Sequence, residues 1–211
     1  MHKLTLTYFD FPGGRGEASR LALHIAGVDW TDNRVKRDDW TALKPTTPFG
    51  GLPTLEVQGQ GVLSQSNAIL SYIGRQYGLM PFDPFEAARH VAVMNAVEEL
   101  RAQANATGRK DEEKKRAARE AFAAGYFARW TGHLTRQIRG PFIGGDELSV
   151  ADLFATAPSS PDIPVGGDLC LFHRQASGAT VLVIFACRGS VGVLDHAAVG
   201  LVRALPTCGR E

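Results

Sequence analysis

The chain has 211 residues, 44% of them apolar and 21% charged, proportions that suit one or two domains with sizeable cores. A formal net charge of +1 provides no field to draw in nucleic acid or an anionic membrane, so neither is expected as a partner. Three cysteines, Cys170, Cys187 and Cys208, all lie late and make neither a disulfide framework nor a metal set. Met1 to Phe9 alternates and has no continuous apolar core, so no secretory leader is expected and the cytoplasm is the natural compartment. The longest apolar run, Ala179 to Cys187, is far short of the roughly 18 residues a transmembrane helix needs.

Leu4 to Tyr8 alternates strictly and predicts a strand. After Pro12-Gly13-Gly14, apolar residues at Ala18, Leu21, Ala22 and Ile25 mark one face of a helix, which Gly27 closes. Trp30 to Val35 reads as a second strand and Pro45 to Gly51 as a loop. Pro53 to Val57 and Gly61 to Leu63 form a hairpin across a glycine-rich turn. A helix then opens at Ser66, runs through Ile69, Leu70, Ile73 and Tyr77, and stops at Gly78.

The segment Gly78 to Pro84, with two prolines, is a linker. Beyond it Glu86–Arg101 and Asp111–Ile138 predict helices. The mixed-sign run Arg109 to Arg116 fits a solvated helix face better than a nucleic-acid patch. Ser149-Val150-Ala151-Asp152 is a capping box: Ser149 Oγ is expected to accept from the amide of residue 152, Asp152 to reach back, and Leu148 and Leu153 to staple the start. The next stretch, Thr156 to Pro164, holds three prolines and no helical period, so local signals conflict there.

Several residues carry candidate chemistry beside a plainer reading. Pro53 enters a strand, where proline is confined to edges, first positions and bulges. It is either a trans edge proline or, in a β-α-β-β-α unit of thioredoxin type, a cis proline that presents the backbone of Leu52 to an extended ligand. Tyr8 ends the first strand as core filler or as a hydroxyl donor to a thiolate that the ligand supplies. No cysteine precedes Cys170, so the chain brings no thiol of its own to that end. Lowering a thiol pKa from about 8.5 to about 6.5 takes roughly 2.7 kcal/mol. A hydrogen bond to a charged group supplies about 1.5–3 kcal/mol, so one hydroxyl covers most of it. Gln65-Ser66 opens a helix, where Ser66 is an N-cap or a donor to a carboxylate. Gly13-Gly14-Arg15-Gly16 lacks the spacing of a phosphate loop. Trp40 and Lys44 lie one helical turn apart, by themselves only an exposed turn.

The segments "LTYFDFPGGRGEASRLAL", "DDWTALKP", "GGLPTL", "LSQSNAILSYIGRQYGL", "VEELR" and "FIGGDELSVADL", in this order, resemble the tyrosine-type cytosolic glutathione S-transferases of the sigma and pi kind, from Leu4 to about Phe154. The resemblance implies an α/β plus all-α fold: a thioredoxin-like glutathione-binding domain over 1–78, a linker over 79–85, a helical domain over 86–154 and an atypical, poorly ordered tail over 155–211. It implies that glutathione is a co-substrate, that no cofactor is permanently bound and no metal is held, and that the chain forms a homodimer. Tyr8 would stabilise the thiolate, and Leu52, ahead of a cis Pro53, would pair with the cysteinyl backbone. Gln65 and Ser66 would hold the γ-glutamyl end, and Trp40 and Lys44 the glycyl carboxylate. Arg15 matches an arginine that assists the thiolate or ligand, although the stretch from Tyr8 to Arg15 is one residue longer than the family pattern. Phe9 and Phe11 would line the pocket of a small hydrophobic electrophile, and Glu99 would reach across the dimer to the γ-glutamyl amine. Ala155 to Ser190 departs from the family and suggests a retained intron or a frame change. A glutathione-binding protein without catalysis, or an inactive transferase, is therefore the competing expectation; a prostanoid isomerase is a variant within the enzyme class.

Overall fold

The computed structural model describes residues 2–11, 13–107 and 111–156. Pro12, residues 108–110 and the whole of 157–211 lie outside the described residues, and with them the expectations about the tail.

Strand β1, Leu4–Phe9, buries every second side chain, as its alternation demands. Helix α1, Glu17–Ile25, buries Ala18, Ser19, Arg20, Ala22 and Leu23 against the sheet and ends before Gly27, whose φ of 63° is the left-handed conformation of a C′ glycine. Strand β2 is Trp30–Val35. A short helix α2, Trp40–Leu43, runs directly into a 3₁₀ turn over Lys44–Thr46, where a loop was expected from Pro45 onward. Strands β3, Thr54–Val57, and β4, Gly61–Ser64, form the expected hairpin, with Pro53 just outside the first of them. Helix α3, Ser66–Gln76, completes the unit.

The sheet order is β2-β1-β3-β4, with β1 parallel to β2 and antiparallel to β3. This is the thioredoxin-like arrangement, with the crossover α1 and the helix α3 packed against each other. Its register fixes where a site can form. Thr7 pairs with Thr54, and Thr54 with Ser64. One step beyond that row, at one end of the sheet, stand Tyr8 on β1, Pro53 just ahead of β3 and Gln65 just after β4.

Helix α4 extends over Pro84–Thr107, six residues past the expected Arg101. Its buried side runs through His90, Val93, Met94, Val97, Leu100, Arg101 and Ala104. The segment expected as one helix from Asp111 is divided into α5, Glu112–Phe122, a π turn over Ala123–Phe127, and α6, Ala128–Thr135. The Phe122 and Tyr126 rings, four residues apart and so on one face, stack at 5.8 Å across the start of this turn.

Helix α7, Val150–Thr156, packs on α4, α1 and α3, joining both halves in one core that includes Leu6, Leu70, Met94 and Phe154. Gly74 allows that contact: a Cβ there would lie 2.9 Å from Met80 Cβ and 3.1 Å from Val150 Cγ2. The capping box forms, with one difference. Asp152 accepts from the Ser149 amide at 3.0 Å as expected, but the Ser149 hydroxyl donates to the same carboxylate at 2.6 Å. A carboxylate is the stronger acceptor, so it draws the hydroxyl proton, and its other oxygen takes the Ile143 amide at 2.8 Å. No described helix is long and apolar enough to cross a membrane.

Candidate active site

Tyr8 is held from several sides. Its ring is buried, at 6% exposure. Gly16 lies so close beneath that a Cβ there would fall 2.3 Å from Tyr8 Cγ, and a Cβ on Gly14 would fall 2.5 Å from the hydroxyl. Only glycines let the loop between β1 and α1 close over the ring in this way. The Tyr8 hydroxyl accepts the Arg15 backbone N–H at 3.0 Å, and its own proton is donated to no described residue. A phenol oxygen that receives an N–H is left more able to donate its proton outward.

The Arg15 side chain, by contrast, points across to α4. Its Nη2 and Nε meet Glu98 Oε2 at 2.8 and 3.1 Å. Glu98 Oε1 accepts from Arg101 at 2.9 Å, and the buried Arg101 also donates to Phe154 O at 3.1 Å and lies 4.1 Å over the Phe154 ring. Burial lowers the Arg101 pKa despite the Glu98 carboxylate beside it. Burial opposes the charge on Glu98 as well. The hydrogen bonds and fields of Arg15 and Arg101 outweigh it and hold Glu98 below the ordinary carboxylate value.

The Leu52–Pro53 bond is cis, and Pro53 is buried, so of the two readings of this proline the trans edge residue is not the one present. No hydrogen bond within the described chain uses the N–H or C=O of Leu52, which is half-buried just ahead of β3. Beside it, Gln65 turns the chain from β4 into α3 with φ of 72°, an uncommon conformation for a residue with a Cβ. The helix makes no side-chain cap, so Ser66 is not the N-cap. Its Oγ is instead buried without a partner. A lone buried hydroxyl at a helix N-terminus, next to an unpaired strand-edge backbone, offers donors to a carboxylate on an extended molecule.

The apolar side of the site is a chain of rings. Phe9 and Phe11 stack at 6.1 Å with 16° between planes, Tyr8 lies 5.6 Å from each, and Trp40 meets Phe9 edge-on at 5.4 Å. Trp40 is half-buried and Lys44 exposed, with Lys44 Cε running 3.5 Å from where a Gly50 Cβ would stand. Tyr8, Phe9, Phe11, Arg15 and Trp40 thus converge through contacts, while the sheet register brings Leu52, Pro53, Gln65 and Ser66 to the same end. Glu99 is exposed on α4, outside these contacts.

Two residues of the site were not singled out from the sequence. Glu98, not its neighbour, reaches Arg15. A signal was present: Met94, Glu98 and Arg101 are spaced four and three apart, and Met94 and Arg101 belong to the buried stripe. Arg20, 7% exposed at its side chain, bonds to Phe9 O, Phe11 O, Glu17 and Asp32. A lone arginine on an apolar helix face carries no mark of such a role.

The family model for the glutathione S-transferase N-terminal domain matches residues 4–75. Glutathione S-transferase 1 of Ascaris suum is 50% identical over 103 residues, 49% of this chain and 49% of its own. The chain therefore spans about half the length of that relative. Probable glutathione S-transferase 5 of Caenorhabditis elegans is 32% identical over 184 residues, 82% of this chain and 87% of its own. Among solved structures, prostaglandin synthase D of Nilaparvata lugens superposes with a TM-score of 0.63 at 30% identity, covering 73% of this chain and 78% of that one. With the thioredoxin-like sheet, the cis proline and a relative matched over most of its length, the chain belongs to the glutathione S-transferase family.

Proposed function

We propose that the chain is a cytoplasmic glutathione transferase that joins the glutathione thiolate to small hydrophobic electrophiles. The thiol loses its proton to solvent water, Tyr8 O–H donates to the thiolate sulfur, and the sulfur forms a bond to an electrophilic carbon as a leaving group departs or a π bond accepts the electron pair. The observation that carries this reading is the row Tyr8, Pro53 and Gln65 at one end of three strands, flanked by two unmet groups: the Leu52 backbone and the Ser66 hydroxyl. An extended tripeptide fits that end as an added strand, its cysteinyl unit against Leu52 and its γ-glutamyl carboxylate on Ser66 and Gln65. Lys44 and the Trp40 indole N–H then face the glycyl carboxylate, and the Phe9–Phe11 stack borders the electrophile. On this reading residues 1–78 bind glutathione, 79–85 link, and 86–154 form a helical domain that closes the pocket. Glu99 reaches the γ-glutamyl amine of a homodimer partner.

Thermal unfolding of the full chain with and without millimolar glutathione tests the site, and turnover of an aromatic electrophile tests the reaction. A transition that rises with glutathione, together with conjugation, is expected. A rise without turnover leaves a glutathione-binding protein; no rise and no turnover refutes the site. Similarity to a prostaglandin synthase makes prostanoid isomerisation one arm of the substrate screen.

A further inference from the structure

Arg20 is a buried cation that the reaction above leaves unused. Its guanidinium lies beneath the catalytic end of the sheet, with Cζ 5.5 Å from the centre of the Tyr8 ring. Nη2 donates to Phe9 O at 3.2 Å and Nη1 to Phe11 O at 3.4 Å. Nε meets Asp32 on β2 at 3.2 Å. Nη1 also meets Glu17 Oε2 at 3.3 Å, and that same carboxylate oxygen accepts the Gly13 N–H at 3.2 Å.

These contacts share a target. All but the one to Asp32 fall on Tyr8, on the loop that follows it, or on the carboxylate that holds that loop. The loop is rich in glycine. Gly13 and Gly14 both have positive φ, at 88° and 74°, and glycine restricts the backbone least of all residues. The loop nevertheless has to deliver the Arg15 N–H to the Tyr8 hydroxyl at 3.0 Å. A planar guanidinium reaches two carbonyls, two carboxylates and a ring face at once, which an ammonium cannot do.

We propose that Arg20, with Glu17 as its partner, is the positioning residue of the Tyr8 hydroxyl: it ties Phe9, Phe11 and Gly13 to α1 and so aims the hydroxyl at the ligand sulfur. This rests on the transferase reading. It assigns Arg20 no contact with glutathione, so its loss acts on the thiolate and not on binding.

The test uses the full chain, glutathione itself, and three readouts: the dissociation constant by calorimetry, the ultraviolet absorbance of the bound thiolate at neutral pH, and kcat with an aromatic electrophile. Arg20→Lys keeps the cation and loses the fork. Its bound-thiolate signal and kcat are expected to fall about tenfold, within the range that small misplacements of reacting groups produce. Its dissociation constant is expected to stay within about threefold of the parent, since uniform binding contacts are untouched. A folded Arg20→Lys with parental thiolate signal and kcat overturns the proposal, and so does a loss of affinity in proportion to the loss of thiolate. Should Arg20→Lys not fold, Glu17→Gln decides alone: a smaller drop in thiolate signal and kcat at unchanged affinity supports the tie, and no drop overturns it. A parent chain that binds glutathione without forming thiolate is a different result, and it removes the transferase reading together with this inference.

Discussion

Tyr8→Phe removes one oxygen from the site and little else. The ring is buried and bounded by Gly16 and Phe11, so a phenylalanine fills the same space. Inside the chain the only described loss is the Arg15 N–H bond at 3.0 Å. That bond is part-buried, so its loss should cost about 1 kcal/mol of stability. The cost falls on the bound thiolate. A hydrogen bond to a charged acceptor contributes about 1.5–3 kcal/mol. At about 1.36 kcal/mol per unit, its loss raises the bound thiol pKa by about 1–2 units. Near pH 6.5, where a thiol lowered to about 6.5 is half ionised, the thiolate fraction falls about 5–50-fold, and kcat with it. Retention on immobilised glutathione should be nearly unchanged, because Leu52, Gln65 and Ser66 are untouched. Measuring kcat and resin retention side by side separates the two. If both fall equally, Tyr8 is a binding residue and the derivation fails; if kcat is unchanged, another group activates the sulfur.

Ser66→Ala removes a buried hydroxyl that has no partner, so stability without ligand should hold or rise slightly, while glutathione affinity weakens by about 1 kcal/mol, roughly fivefold, by calorimetry. Glu98→Gln leaves Arg101, 5% exposed at its side chain, without its carboxylate. Because Glu98 itself keeps 29% exposure, the cost should be about 2–3 kcal/mol by denaturant unfolding, under the roughly 3–5 kcal/mol of a fully buried pair. Glu98 is held below its ordinary value of 4.5, so its contribution to stability is complete above that pH and is lost as pH falls through the lower folded value. Glu98→Gln should flatten that part of the stability profile, and an unchanged acid limb would show that the ion pair does not form. Asp152→Ala strips acceptors from the Ile143 and Ser149 amides and the Ser149 hydroxyl, and should cost about 2–4 kcal/mol with a matching fall in the denaturant midpoint.

Much of this protein is local in origin and legible along the chain. Alternation from Leu4 to Tyr8, the 3.6-residue spacing from Ala18 to Ile25 and the glycine stops at Gly27 and Gly78 each depend on neighbours within a few residues, and each element forms where that pattern places it. Ordered motifs also carried the likeness to the transferases, and with it the residues at that end of the sheet. What pairs residues distant in sequence was not legible. Glu98 and Arg15 stand 83 residues apart, and the choice between Glu98 and Glu99 is made by which face α4 turns toward the loop before α1 as it packs on α3 and α7. Arg20 reads as one more helical arginine until the loop after Tyr8 folds back over it. The capping box shows the same limit at short range: its residues announced a helix start, but the hydroxyl proton went to the stronger acceptor nearby. Period and turn chemistry are properties of a segment, so a sequence displays them. Burial of a charge and the aim of a hydroxyl depend on which surfaces meet, and that only the packed chain decides.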